Sequence, residues 1–150
     1  MDVAAWSQNL TPERCEQAGV RYLSRQDLLR SADFITIHLK LSERTRGLIG
    51  ATEFAAMKPD ACLINTSRAP IVDTAALVAA LTDGRIAGAA IDVFDTEPLV
   101  ADDPLRSVPN LLLTPHIGYV TRETYRIFYT DTVEAIAAFT EGNPVRVITP

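Results

Sequence analysis

Hydrophobic residues form short, nearly continuous runs along the chain, and stretches of helical character with capping residues separate them. Apolar runs of four to eight residues bounded by turn residues are typical of buried strands. We predict strands at Asp2–Trp6, Val20–Leu23, Phe34–Leu39, Ala61–Asn65, Ile86–Val93 and Leu111–Thr114. Strands that alternate with helices favour an α/β domain with a parallel sheet covered on both faces.

Capping residues mark the ends of the predicted helices. Thr11, Ser24 and Asp73 stand at expected N-caps, and Gly19 and Gly84 stand where a left-handed residue ends a helix. The predicted helices are Thr11–Ala18, Gln26–Ala32, Thr52–Met57, residues 74–83 and a long helix from about Thr121 to Glu141.

Length and composition then narrow the class of protein. The 150 residues suit one domain, and a net charge of −5 without a basic cluster argues against nucleic acid. No apolar run approaches the roughly 18 residues of a membrane span. Cys15 and Cys62 have neither the spacing nor the neighbours of a disulfide framework or a zinc site, so we expect no metal and a cytoplasmic protein.

Chemically active side chains follow the predicted strands, where ligands bind in open parallel sheets. Taken singly, each has a structural explanation as a solvated cation, a turn cap, a loop acid or a hinge histidine. Both histidines, an arginine and two carboxylates at one edge favour a shared site instead. The residues concerned are Ser7-Gln8-Asn9, His38, Asn65-Thr66-Ser67-Arg68, Asp92 and His116, with Glu97 in the long loop Phe94–Asn110.

An arginine, a glutamate and a histidine together suit the interconversion of a 2-hydroxy acid and a 2-oxo acid. Histidine can accept or donate the hydroxyl proton near neutral pH, and a neighbouring carboxylate orients the ring and favours the imidazolium. An arginine can fork onto the substrate carboxylate, while a nicotinamide cofactor carries the hydride.

Three segments in order, NTSRAPIVDTAAL, AAIDVFDTEPL and NLLLTPHIGY, resemble the C-terminal signatures of the D-isomer-specific 2-hydroxyacid dehydrogenases. FITIHLKLSERTRGLI and GNPVRVITP resemble neighbouring segments of that family, so the resemblance covers essentially the whole chain. It implies an NAD(P)-dependent oxidoreductase with a Rossmann-type, doubly wound parallel sheet.

The resemblance also implies a role for each matching residue. Arg68 would bind the substrate carboxylate, Glu97 would partner the histidine, and His116 would be the general acid and base. Asp92 would accept a hydrogen bond from the nicotinamide carboxamide. The cofactor site would comprise Ser7, His38, Thr66, Ser67, Arg68, Asp92, His116 and Gly118.

One expected feature is missing from the sequence. No two of the seven glycines form the GxG turn that a dinucleotide pyrophosphate needs. We therefore expect residues 1–150 to be a partial dinucleotide-binding domain that lacks the first, central strand and leaves two strand edges facing a gap. Residues 121–150 would return toward an absent substrate domain, and the full-length protein would be a homodimer.

The sequence leaves three questions open. Ser7, Gln8 and Asn9 offer no acid to the cofactor ribose, so the cofactor is NAD or NADP. A dinucleotide-binding regulatory module without turnover, or a poorly folding truncation product, are the alternatives to an active dehydrogenase. The identity of the 2-hydroxy acid is not encoded in these residues.

Overall fold

The computed structural model describes residues 1–148 and follows the predicted order of strands and helices. The strands are β1 (Ala4–Ala5), β2 (Arg21–Tyr22), β3 (Phe34–Ile37), β4 (Cys62–Asn65), β5 (Gly88–Ile91) and β6 (Leu111–Leu113). The helices are α1 (Pro12–Gln17), α2 (Arg25–Ser31), α3 (Ala51–Ala56), α4 (Thr74–Thr82) and α5 (Arg122–Thr140). The chain divides into two compact units, Met1–His116 and Ile117–Pro150.

The strands of the first unit form two parallel sheets. β1 pairs with β2, and a separate four-stranded sheet has the order β3-β4-β5-β6. Within the described residues, β1 and β3 are not paired with each other. The fold is Rossmann-like, and every strand pair in it is parallel.

The core lies on one face of the four-stranded sheet. Leu63 is fully buried there, and Phe54 of α3 and Leu77 of α4 supply buried side chains to the same core. The alternate positions face the other way, where Phe34 and Leu112 are 65% and 64% exposed. In the described residues, this second face is a shallow apolar groove.

Local capping explains where the helices begin. The side chains of Ser24 and Asp73 accept hydrogen bonds from the backbone amides three residues later, at 3.1 and 3.0 Å, as the sequence predicts. Gly84 follows α4 with a φ of +63°, a conformation that glycine adopts without steric cost. The long loop also contains a 3₁₀ turn at Pro104–Ser107, which the sequence analysis did not predict.

The second unit is built around α5, whose N-cap is Thr121. None of the residues of α5 is buried, and its apolar side chains are exposed, among them Phe139 at 74%. The ring centroids of Tyr125 and Tyr129 lie 5.7 Å apart on this surface. No helix of the described residues is long and apolar enough to cross a membrane.

Candidate active site

The four-stranded sheet brings most of the predicted site residues to one edge. His38 follows β3, the segment Thr66–Arg68 follows β4, Asp92 follows β5, and His116 comes three residues after β6. Because these strands are parallel and consecutive in the sheet, their carboxyl ends form a continuous edge. This is where an open α/β sheet binds its ligands.

A carboxylate–imidazole pair stands at this edge. His116 Nδ1 lies 2.7 Å from Glu97 Oε2, and the other carboxylate oxygen, Oε1, accepts the backbone N–H of Phe94 at 2.9 Å. Both oxygens of Glu97 are therefore committed to separate donors. The two side chains are 35% and 38% exposed, so the pair remains open to a ligand.

The electrostatics of the pair favour the ionised form of Glu97. The hydrogen bond from His116, reinforced by the amide of Phe94, lowers the pKa of Glu97 below its ordinary value. An ionised carboxylate only accepts hydrogen bonds, so Nδ1 of the ring must carry the proton. Nε2 is then the nitrogen whose protonation distinguishes the neutral ring from the cation.

The backbone at His116 is left-handed, with a φ of +55°. Its N–H donates to the carbonyl of Thr114 across Pro115 at 3.0 Å, which holds the turn that follows β6. Histidine tolerates this region better than most non-glycine residues. The chain therefore turns at the residue that carries the ring.

Arg68 sits on a turn that buried hydrogen bonds hold in place. The side chain of Asn65, only 1% exposed, accepts the N–H of Ser67 and donates to the carbonyl of Arg68, both at 3.0 Å. Ser67 Oγ donates to the carbonyl of Ile37 at 2.7 Å and so ties this turn to the end of β3. The guanidinium of Arg68 is exposed, and Nη1 donates to the carbonyl of Ser67 at 2.6 Å.

Asp92 is one of two buried polar residues of the described chain, at 3% exposure. Thr114 Oγ1 donates to Asp92 Oδ1 at 2.5 Å, which links the ends of β5 and β6. A buried carboxylate with a fixed partner is held in a defined orientation at the sheet edge. Its charge also opposes, in small part, the lowering of the Glu97 pKa.

The remaining predicted residues are less closely connected to this cluster. The exposed His38 has its Nε2 3.0 Å from Thr36 Oγ1 of its own strand. Ser7 follows β1 in the other sheet, where its carbonyl accepts the N–H of Leu10. Gly118 belongs to the second unit and lies in a turn, so its role stays a prediction.

The structure also assigns contacts that the sequence analysis did not foresee. These are the amide of Phe94 on Glu97, the hydroxyl of Thr114 on Asp92, and the two hydrogen bonds of Asn65. The sequence places Asn65 and Thr114 at strand ends, but a side chain that bonds within a turn leaves no periodic signal. Among residues 1–148, no group of three or more His, Cys, Asp or Glu could hold a metal ion.

Comparison with known proteins identifies the family of this domain. Residues 1–118 match the family described as "D-isomer specific 2-hydroxyacid dehydrogenase, NAD binding domain". A glyoxylate reductase of Aeropyrum pernix is 46% identical over 127 residues, which is 85% of this chain and 38% of that protein.

Solved structures agree with this assignment. A crystal structure of a protein described as a D-3-phosphoglycerate dehydrogenase from Ralstonia solanacearum has a TM-score of 0.89 and 37% identity, covering 99% of this chain and 44% of that one. A D-lactate dehydrogenase with NAD+ from Lactobacillus jensenii has a TM-score of 0.83 and 31% identity, covering 99% and 48%. The chain thus spans less than half the length of each of these three proteins. It belongs to the family of NAD-binding domains of the D-isomer specific 2-hydroxyacid dehydrogenases.

Proposed function

We propose that the protein interconverts a D-2-hydroxy acid and the corresponding 2-oxo acid with NAD or NADP. The observation that carries the proposal is the Glu97–His116 pair, at 2.7 Å, on the same sheet edge as Arg68. A base with a fixed tautomer on the same sheet edge as a cation that can fork onto a carboxylate is what this reaction needs. Membership of the family supports the same conclusion.

The residues of this chain would divide the reaction as follows. Arg68 binds the carboxylate of the 2-oxo acid and polarises the neighbouring carbonyl. His116 gives the proton on Nε2 to the carbonyl oxygen during reduction and takes it back from the hydroxyl during oxidation. Glu97 stabilises the cationic ring and keeps Nδ1 protonated. When bound, the cofactor supplies or accepts the hydride at the carbon.

The hydrogen-bonding side chains of this sheet edge suit the nicotinamide end of a dinucleotide better than its pyrophosphate. The buried Asp92, with Thr66 and Ser67 on the neighbouring turn, offers acceptors and donors for a carboxamide at the nicotinamide end. Ser7 would face the adenosine ribose, and His38 would pack beside the cofactor. The sequence contains no GxG turn for the pyrophosphate. We therefore expect these 150 residues by themselves to bind dinucleotide weakly.

We also propose the assembly of the whole protein. The exposed apolar side chains of α5 support a role for residues 121–150 in packing against further parts of the enzyme. The full-length protein would be a homodimer, which light scattering behind a sizing column would test. The two free cysteines support a reducing compartment, and we propose the cytoplasm.

The experiment that tests the proposal uses the protein at its natural full length. Oxidation of NADH and NADPH would be followed with glyoxylate, named in the Aeropyrum relative, and with a panel of larger 2-oxo acids. His116→Ala should lower kcat by roughly 10²- to 10⁴-fold with little change in cofactor affinity. Arg68→Lys should mainly raise KM for the oxo acid, because an ammonium cannot fork onto a carboxylate.

Three results would contradict the proposal. Near-normal turnover in His116→Ala would remove His116 as the proton carrier, and unchanged kinetics in Arg68→Lys would remove Arg68 as the carboxylate site. Tight cofactor binding by the parent protein, without turnover of any oxo acid, would favour the alternative of a regulatory dinucleotide-binding module.

A further inference from the structure

We propose that Asn65 is a positioning residue that sets the orientation of Arg68 toward the substrate carboxylate. The inference rests on the proposed function, since it gives Arg68 the role of binding the 2-oxo acid. It adds a residue to which neither the sequence motifs nor the comparisons give a role. Asn65 would act through the turn, without touching substrate or cofactor itself.

The position of Asn65 in the sheet calls for an apolar side chain. Its register partners are Ile37 on β3 and Ile91 on β5, which are buried at 5% and 7% exposure. A buried amide is costly unless its polar atoms are hydrogen-bonded, so an aliphatic residue would satisfy the core at lower cost. The presence of an amide therefore needs an explanation in what it bonds.

Both polar atoms of Asn65 bond to the same turn. Oδ1 accepts the N–H of Ser67, and Nδ2 donates to the carbonyl of Arg68, each at 3.0 Å. An asparagine that bonds its own backbone two residues on is a recognised turn-forming device. Here the second bond reaches one residue further and clamps the peptide group of Arg68 itself.

Two further contacts complete the clamp around Arg68. On one side, Ser67 Oγ bonds the carbonyl of Ile37 at the end of β3. On the other side, the chain enters a 3₁₀ turn whose residues Ala69 and Ile71 are 7% and 0% exposed. Arg68 is thus an exposed side chain on a fixed backbone, to which the side chain of Asn65 bonds at the N–H of Ser67 and at the carbonyl of Arg68. That carbonyl also accepts the N–H of Ile71, at 3.3 Å.

A fixed backbone matters here because binding of a carboxylate by a guanidinium depends on geometry. A displacement of about 1 Å in a positioning element can cost on the order of 10²-fold in rate. Loss of the clamp should therefore impair binding of the 2-oxo acid more than binding of the cofactor, because only part of the proposed cofactor site, Thr66 and Ser67, shares this turn, while Asp92 is held separately by Thr114. A merely structural role predicts a loss of stability without this selectivity.

The experiment compares two substitutions in the full-length protein. Asn65→Leu suits the core and removes both hydrogen bonds, while Asn65→Asp keeps an acceptor for Ser67 but puts a carboxylate against the carbonyl of Arg68. We expect KM for glyoxylate and Ki for oxalate to rise roughly tenfold or more in both, and the Kd for NADH or NADPH to rise by a clearly smaller factor. Ile91→Val, a buried change on the adjacent strand, is the control for lost packing.

Measurements at acidic pH distinguish a loss of hydrogen bonds at residue 65 from a loss of packing. A protonated aspartic acid has one donor and one acceptor and reproduces both bonds of the asparagine. The KM ratio of Asn65→Asp to the parent should therefore fall as the pH falls, whereas the ratio for Asn65→Leu should stay constant.

The possible results distinguish failure of the positioning role of Asn65 from failure of the proposed function. If Arg68→Lys is impaired but both Asn65 variants match Ile91→Val in KM, Ki and thermal stability, the positioning role is wrong and the proposed function stands. An equal loss of cofactor and oxo-acid affinity in the Asn65 variants would likewise overturn the role, because the effect would then not be selective for the substrate carboxylate. If Arg68→Lys itself is unimpaired, the proposed function fails first and this role falls with it.

Discussion

Glu97→Gln tests the carboxylate–imidazole pair most directly, because glutamine has the same size but only one acceptor oxygen. Glu97 uses both of its oxygens, one for His116 Nδ1 and one for the amide of Phe94. In the variant, one of these two donors must face the NH₂ group. Either the amide of Phe94 loses its acceptor, or the ring of His116 switches to the tautomer that carries its proton on Nε2.

The size of the effect follows from the exposure of the pair. A hydrogen bond to a charged group contributes roughly 1.5–3 kcal/mol, and side chains that are 35% and 38% exposed place this pair near the lower limit. A loss of about 1.4 kcal/mol corresponds to a factor of ten. We therefore expect kcat/KM for reduction of the 2-oxo acid to fall about tenfold at neutral pH.

The charge of Glu97 determines the direction in which the pH–rate profile should shift in Glu97→Gln. Reduction needs the protonated ring, and oxidation needs the neutral ring. Removing the charge of Glu97 destabilises the imidazolium, so reduction should decline at a lower pH than in the parent. Oxidation should persist to lower pH, although the switched tautomer lowers its plateau.

The assay is a pH–rate profile in both directions, with Asp95→Asn as the matched control. Asp95 is an exposed acid two residues away that accepts a hydrogen bond from Thr74, so this variant removes the same charge without touching His116. The reasoning is refuted if the profile of Glu97→Gln stays in place or moves upward, or if Asp95→Asn shifts it equally.

Three further measurements follow from the same structure. The lowered pKa of Glu97 means that its charge stabilises the folded protein above pH 4.5, its ordinary pKa, and that this stabilisation is lost as the pH falls through the lowered pKa. The Tm difference between the parent and Glu97→Gln should therefore be largest near neutral pH and vanish in acid. A Tm difference that does not change with pH would contradict this reasoning. Because residue 116 has a φ of +55°, urea unfolding should find His116→Asn more stable than His116→Val by about 1–2 kcal/mol, and equal stabilities would show that the left-handed turn is not retained. Because Ser7 carries no charge, Ser7→Asp should weaken NADPH binding about tenfold relative to NADH binding in calorimetry, whereas Gln17→Glu at the end of α1 should not. If Ser7→Asp leaves the ratio of the two dissociation constants unchanged, the adenosine ribose does not lie beside Ser7.

The order of elements could be predicted from the sequence because each boundary has a local chemical cause. The N-caps Ser24 and Asp73 bond the amides that the capping rule requires, and apolar runs such as Cys62–Asn65 became strands that are buried at alternate positions. Their exact ends could not be predicted, because strand length depends on the partner. The predicted strand Asp2–Trp6 is reduced to Ala4–Ala5, which pairs with β2 alone in the described residues.

The exposure of the apolar side chains could not be predicted from the hydrophobic pattern alone. The runs were expected to be buried on both faces, yet Phe34 and Leu112 are about two-thirds exposed on one face of the described sheet. The apolar side chains of α5 are likewise exposed, with Val133 at 66% and Ile136 at 60%. A hydrophobic pattern specifies which side chains favour burial, and it does not specify which surface covers them.

The same distinction applies to the candidate site. His116, Glu97 and Arg68 could be proposed from the sequence because side chains that act on a ligand must be of a particular chemical type at a strand end. Asn65 and Thr114 act on the protein instead, and their partners, the carbonyl of Arg68 and the carboxylate of Asp92, are brought to them by the turn and by the neighbouring strand. Such a role is visible only when the backbone has been placed. We therefore expect the precision of this site to depend on polar residues such as the buried Asn65, which the sequence alone presents as an ordinary strand end, and substitutions there should separate substrate binding from folding.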